Sequence, residues 1–309
     1  MSRYVLQRIL HAIFVIWIVV TAVFLISRAT GNPLDVFLPI DALPETRERL
    51  THDLGLDKPL IVQYGLYARD LVTGSWGESI YFGKSVLPVI VHKLPNTLLL
   101  AMVAMFLAFL VGIPLGVLSA AKRGGIVDHA ANLLAALGQS LPAFWVAILL
   151  VQLFSVELGL LPVAGMGTVN HLVLPSVTIA WWVMAGLVRL THSSMLEILD
   201  RDFLVLARAK GVSEFKLIWW HALRNALIPV ATFTGIQFVV FATGSIVVET
   251  VFAWPGIGRL VYEALVYRDF PLLQGVVMTF AAITVLLNLA VDVLYPYLDP
   301  KIRYARPKS

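Results

Sequence analysis

The stretch DFLVLARAKGVSEFKLIWWHALRNALIP (202–229) decides how this chain is read. It is basic and helix-prone, and it lies between two long apolar runs. It is too polar for lipid and too regular in spacing for a slack connector. Phe203–Lys210 reads as a short helix closed by Gly211, a residue suited to the left-handed turn that ends helices. Ser213 stands where an N-cap belongs, and Glu214 in the next turn complements the positive end of the following helix dipole. That second helix is expected to run to Pro229, which suits either a first helical turn or a kink. The product is a helix–turn–helix bracket on a membrane surface, offering Arg208, Lys210, Lys216 and Arg224 to water.

Composition explains why a membrane is invoked. Of the 309 residues 59% are hydrophobic and 14% charged, with mean hydropathy +0.85. Soluble domains carry about a quarter charged residues, so a soluble globule is excluded. The absence of cysteine removes disulfides, thiolate metal sites and cysteine catalysis. Nucleic-acid binding is also excluded: it needs basic residues interleaved with aromatics on a wet surface, and most aromatics here sit inside apolar runs.

Six spans are expected, in an all-α polytopic membrane fold. The first, ILHAIFVIWIVVTAVFLIS (9–27), has the roughly 20 residues that cross the hydrocarbon core. Arg3 and Arg8 precede it as in a signal peptide, but its apolar part is longer than a signal core and no A-x-A-like cleavage site follows, so it reads as an anchor. Further runs fall at about 96–120, 130–155, 172–195, 228–251 and 272–297. Gly112, Pro114 and Gly116 in the second and Pro142 in the third predict kinks. Between the first two spans, residues 30–94 form a polar insertion. Within it, Pro44 opens one helix closing at Gly55, and Pro59 another closing near Gly74. SVLPVIVHKL (85–94) reads as an interfacial amphipathic helix. Tyr64, Tyr67 and Trp76 give the insertion an apolar side.

Basic residues in short loops set orientation. With both termini in the cytoplasm, that side carries fourteen basic and six acidic residues, a net +8; the other side carries nine against twelve, a net −3. The bracket is then cytoplasmic and the 30–94 insertion external.

Catalytic motifs fail on inspection. Phe82–Ser85 (FGKS) ends like a phosphate-binding loop, but the first glycine of G-x-x-x-x-G-K-[ST] falls on Glu78. No H-E-x-x-H zinc motif occurs, nor a G-x-S-x-G elbow, so an intramembrane enzyme is disfavoured; His192 and His221 read as interfacial side chains rather than ligands. Inside the spans lie Asn132, Gln139, Ser140, Gln152, Gln237, Asn288 and Asp292. A charge at mid-bilayer costs at least ~2.5–3.5 kcal/mol, which makes Asp292 a functional candidate; its place near the cytoplasmic end favours pairing with a loop cation. The neutral residues read first as interhelical glue and second as pathway lining. The bracket itself could bind anionic lipid, connect two spans, or dock into a cytoplasmic partner. Only docking uses a glycine-hinged pair of helices.

ARAKGVSEFKLIWWHALRNALIPV (207–230) closely resembles the coupling loop of type I ABC importer permeases, in the branch serving dipeptides, oligopeptides, glutathione and nickel. The likeness runs through Tyr4–Arg8, Asn32–Pro33, LGLDKPL (54–60), Gln63–Tyr64 and GSWGES (74–79). It continues in KLPNTL (93–98), SVELGLLPVAG (155–165), GSIVVETVFAWPGIGRL (244–260), RDFP (268–271) and VDVLY…LDPKIRY (291–304). Two departures stand out. Val205, Leu206 and Ala207 occupy the place of the superfamily's Glu-Ala-Ala, where this branch has an arginine at the Val205 position. Gly31-Asn32-Pro33 replaces Gly-Asp-Pro.

The resemblance implies a half-channel in the bacterial inner membrane. Its parts would be a tail and first span (1–29), an external insertion (30–94), a permease core of five spans (95–297) and a cytoplasmic tail (298–309). It implies a homologous second permease, two cytoplasmic ABC ATPases carrying the ATP and Mg, and an external substrate-binding protein, with no cofactor or catalysis on this chain. Phe203, Val205, Leu206, Ala207, Arg208, Ala209, Lys210 and Gly211 would seat in an ATPase cleft. Arg208 and Lys210 would bond its rim, while Ala207, Ala209 and Gly211 would admit close backbone approach. The external insertion and residues 252–271 would receive the binding protein. The rival reading is a self-sufficient secondary transporter or channel using the polar span residues; few buried charges and no visible paired halves stand against it.

Overall fold

The computed structural model describes residues 2–29, 43–53 and 56–298. Gly31-Asn32-Pro33, Gly55, the residues after 298 and the Asp292 side chain lie outside them. Helix α1 (Ser2–Ala29) is followed by α2 (Pro44–Asp53) and α3 (Leu60–Thr73). Strands β1 (Glu78–Ser79) and β2 (Lys84–Ser85) then pair antiparallel. Next come α4 (Val86–Ala121), α5 (Ile126–Ser140) and α6 (Ala143–Leu150), the last passing into a π-helical segment, Val151–Glu157. Helix α7 (Asn170–Leu199) leads to α8 (Asp202–Ala209), the short α9 (Glu214–Lys216) and a second π-helical segment, Leu217–Ala222. Helices α10 (Leu223–Ala242), α11 (Ile246–Val251), α12 (Ile257–Val266) and α13 (Phe270–Leu298) complete the described chain.

Five stretches are long and apolar enough to cross a membrane: Leu6–Ile26, Val86–Ala121, Asn170–Leu199, Glu214–Ala242 and Phe270–Val291. The pair Ile126–Ser140 and Ala143–Glu157, bent by 107°, makes a sixth when taken as one broken span. The architecture is therefore an all-α polytopic membrane bundle, as the apolar runs predict.

Some boundaries differ from expectation. Residues 85–94 are no separate interfacial helix: they are continuous with the second span, and α4 runs through both Pro95 and Pro114. The second bracket helix does not stop at Pro229, which lies inside α10. A membrane helix tolerates a proline because neighbouring groups re-satisfy the freed backbone. The fifth apolar run does not reach residue 251 as one helix. It ends at Ala242, and Gly244 takes a left-handed φ of +92° before α11 begins. A Cβ there would lie 3.0 Å from the Gly258 nitrogen, so glycine lets the chain fold back tightly against the start of α12.

Helices α4 and α7 share the longest interface, and small residues set their separation. At Gly116 a Cβ would fall 2.7 Å from the Thr191 Cβ, and at Gly138 of α5 one would fall 2.5 Å from that of Ala185. Such close approach is how membrane helices gain dispersion contacts where lipid offers no hydrophobic drive. Helix α10 packs on α7 and α13, and α1 lies at the edge against α13. The insertion is tied to α1: Tyr64 Oη and Thr21 Oγ1 are 2.8 Å apart, and Phe24 meets the rings of Tyr64 and Tyr67. The hairpin end of the bundle therefore holds the insertion, α11 and α12. The opposite end holds the bracket, a distance set by the 36-residue α4, about 54 Å long.

Candidate functional site

The bracket forms by local rules. Helix α8 closes on Gly211 at φ +81°, with the Gly211 nitrogen donating to the Arg208 carbonyl at 3.0 Å and the Val212 nitrogen to the Ala207 carbonyl at 3.2 Å. This is a Schellman closure, and Val212 supplies its usual apolar contact. Ser213 stands at the N-cap position with extended backbone, but its side chain makes no capping bond. Glu214 does more than complement a dipole. It takes Arg208 Nε at 2.5 Å and Nη2 at 3.2 Å, a two-pronged pair across the turn. Both side chains are solvent-exposed, so the pair fixes the geometry of the turn more than it stabilises the fold.

One apolar cluster joins the bracket to the spans. Leu204 of α8 and Leu217 and Ala222 of the second π segment are fully buried against Val117 and Ala120 of α4, Met195 of α7 and Ala226 of α10. The opposite face is open: Phe203, Val205 and Leu206 are 45%, 56% and 57% exposed, and Phe215 and Trp220 about 70%. Those exposures show an apolar outer ridge where the sequence emphasised cations. Arg208, Ala209, Lys210 and Gly211 are exposed with it. Ala207 is different, being half-buried against the cluster.

The polar span residues are not gathered into one site. Asn132 Nδ2 donates to the Asp128 carbonyl at 2.9 Å and to its Oδ1 at 2.7 Å. Gln139 accepts Arg189 Nη1 at 3.3 Å, and Gln152 donates to Glu157 at 3.3 Å within the first π segment. Gln237 is buried in α10 with Nε2 unpartnered among the described residues, and Asn288 is exposed on α13. Asn288 and Asp292 do share one helix at i, i+4 spacing.

Three carboxylates that sequence reasoning passed over prove to be organised. Asp128 accepts Ser119 Oγ at 2.7 Å and the Gly124 nitrogen at 2.9 Å, besides Asn132. His192 Nε2 of α7 is 3.2 Å away, within ion-pair range but off the line of a hydrogen bond. These contacts join the bracket ends of α4, α5 and α7.

At the hairpin end, Asp269 is fully buried, taking Ser79 Oγ at 2.5 Å and the nitrogens of Tyr81 and Leu272 at 3.1 Å. It clamps the hairpin to the start of α13, and the Tyr81 and Tyr267 rings stack above it at 3.8 Å. Glu249, also fully buried, accepts Thr97 Oγ1 of α4 at 2.8 Å and the Arg259 nitrogen at 3.0 Å. Thr97 in turn accepts the Ile257 nitrogen at 2.8 Å, and Asn96 and Trp254 exchange bonds with the facing backbone. The carboxylate thus satisfies the opening turn of α12. Burial pushes the Glu249 carboxyl above its usual range, while the hydrogen bonds from Arg259 and Thr97 pull the other way. The signal available in sequence was a lone acid in an apolar run, SIVVETVF (245–252).

Two family profiles match. Residues 1–101 fit the N-terminal part of the binding-protein-dependent transport system membrane component, and residues 112–304 fit the binding-protein-dependent transport system inner membrane component. Relatives align end to end. The chain is 37% identical to the dipeptide transport system permease protein DppB of Alkalihalophilus pseudofirmus, over 98% of this chain and all of that one. It is 36% identical to the oligopeptide transport system permease protein AppB of Bacillus subtilis and 39% identical to the glutathione transport system permease protein GsiC of Escherichia coli, with the same coverage. Among solved structures, an inward-facing MetNI methionine ABC transporter has a chain that superimposes with a TM-score of 0.57 at 19% identity, covering 68% of this chain and 96% of that one. That likeness is one of fold. Whole-length matches to permeases leave no room for the secondary-transporter or channel reading. The chain belongs to the binding-protein-dependent transport system inner membrane components, and is a non-catalytic, multi-pass permease subunit of an ABC importer.

Proposed function

We propose that this permease carries short peptides or similar small solutes inward, and that the 202–229 bracket is where the work of partner ATPases enters it. The observation that carries the reading is the two-sidedness of the bracket. Its outer ridge of Phe203, Val205, Leu206 and Ala209 is free, while Leu204 and Leu217 lock its inner face to the ends of α4 and α7. A push on the outer ridge therefore moves the spans as well, because a packed core shifts as a unit rather than deforming. Val205 gives this ridge an apolar side chain where the peptide branch has an arginine, so contact here rests on shape more than charge.

Membership of the family implies an ATPase and a substrate-binding protein as partners. In the full assembly a homologous second permease completes the channel, and two ATPases supply ATP and Mg. Both termini and the bracket are cytoplasmic, in keeping with the basic excess at that end. The first span (1–29), the external insertion (30–94), the five-span core (95–297) and the tail (298–309) are its working parts. The clamped hairpin and the α12–α13 turn are the rigid external surface on which a binding protein would settle. The names of the relatives, which transport dipeptides, oligopeptides and glutathione, support the solute class.

The test uses the lack of native cysteine. Ala209→Cys, on the exposed ridge, should cross-link to a single-cysteine ATPase with a yield that changes on ATP binding. Ala207→Cys, turned toward the cluster, should cross-link poorly. A cross-link at neither position would remove the coupling role. ATP-dependent uptake in vesicles should require this chain together with the ATPases.

A further inference from the structure

Arg189, one of the fourteen basic residues that loop charge assigns to the cytoplasmic side, is a permanent cation on a helix that crosses the membrane. Its side chain turns away from the bracket end, and without it that side still carries a net +7. Helices α5 and α7 run antiparallel, pairing Asp128 with His192, Ala131 and Ala135 with Val188, and Gly138 with Ala185. Arg189 stands one turn from His192, yet its Nη1 reaches Gln139. Gln139 is eleven residues along α5 from Asp128, about 16 Å at the helical rise. With the Lys122–Gly125 loop taken at the membrane surface and α5 along the membrane normal, that distance reaches the middle of a hydrocarbon core roughly 30 Å thick.

The chain breaks at that level. Leu141 and Pro142 are extended, and α6 leaves α5 at 107°. Irregular backbone at membrane depth survives where it is buried in protein or lines a water-filled cavity, and the broken helices of transporters gather at their solute sites. Gln139, Ser140, Phe144, Trp145 and Arg189 are all exposed at or beside this elbow. No carboxylate among the described residues pairs with Arg189; it donates to the neutral amide of Gln139. A guanidinium presents a planar fork of donors that matches a carboxylate two-for-two, and Gln139 takes up only part of it.

We propose that the Arg189 guanidinium, steadied by Gln139 at the elbow of the broken span, is a subsite for the carboxylate of the solute passing through the bundle. The inference rests on the importer reading and adds a chemical preference to it: solutes with a free α-carboxylate are held there, and their amides are not.

The test is run on the assembled transporter, with Ser140→Cys placing a thiol at the exposed elbow, next in sequence to Gln139. An anionic methanethiosulfonate reagent should modify that thiol about tenfold faster, relative to a cationic reagent of the same size, than it does after Arg189→Gln. Arg189→Lys should keep most of that bias. Dialanine should slow modification, and dialanine amide should not. A thiol that stays unreactive in every nucleotide state would mean that the elbow faces lipid or the second permease, and the proposal fails. It fails equally if both reagents react alike, or if acid and amide protect alike. Loss of ATP-driven uptake by the parent assembly would instead count against the importer reading, whatever the labelling shows.

Discussion

Replacing Glu249 by alanine should cost more than its single buried side chain implies. The carboxylate takes the Thr97 hydroxyl at 2.8 Å and the Arg259 nitrogen at 3.0 Å, in a site closed to solvent. Each buried donor left without a partner costs ~1–3 kcal/mol, partly offset because a carboxyl no longer has to be desolvated, so the net loss is about 3 kcal/mol. Glu249→Gln keeps one acceptor for the α12 backbone and should lose about 1 kcal/mol. Gly256 supplies an independent check. Its backbone (φ −101°, ψ −177°) suits any residue, yet a Cβ there would lie 2.3 Å from Glu249 Oε2 and 2.4 Å from Thr97 Oγ1. Gly256→Ala should therefore destabilise the parent, and should do so less in a Glu249→Ala background, with a coupling of about 1 kcal/mol or more. Thermal melting of the purified assembly, followed by retention of the monodisperse peak, measures the parent and the four variants. If Glu249→Ala melts within about 0.5 kcal/mol of the parent, or the two substitutions simply add, the carboxylate does not organise this corner.

Three further outcomes follow from the same geometry. Burial raises the folded-state pKa of Glu249 above the usual 4.5, so in the window between the two values the folded protein holds a proton that the unfolded chain releases. The stability from this group is full below 4.5 and fades as pH rises through the folded value; melting temperatures of the parent relative to non-titrating Glu249→Gln should therefore rise as pH is lowered from neutral. Gly211→Val forces a branched side chain into φ +81°, with no neighbouring atom in its way, at a cost of ~1–2 kcal/mol from the backbone alone. Vesicle uptake should suffer more from that change than from Lys210→Gln, and the opposite order would favour a lipid-headgroup role for the bracket. Leu204→Ala opens a cavity in the cluster that joins bracket to spans, a loss of ~2–5 kcal/mol. It should leave ATP hydrolysis running while uptake falls; proportional loss of both would argue against mechanical coupling through Leu204.

Much of the bracket was legible because its rules are local. Gly211 ends α8 by its own backbone freedom, and the expected helix differs from the observed one by a residue at each end. The spans were legible for a similar reason, since a bilayer demands long apolar helices whatever their neighbours are. Their limits were less so: α4 absorbed residues 86–94, and α10 ran through Pro229.

The residues that organise the two ends were hidden for a definite reason. Ser79 meets Asp269 across 190 positions and Thr97 meets Glu249 across 152, and no spacing rule links residues that far apart. The sequence alone determined a polytopic helical protein with one basic, glycine-hinged bracket, because hydropathy, helix capping and loop charge act over a turn or two of chain. The tertiary structure alone decided which face of that bracket is free, that the third span breaks by 107° beside Arg189, and that each end is held by a buried carboxylate. Those are outcomes of helix packing, in which a side chain's surroundings come from distant segments and its own neighbours in sequence count for little.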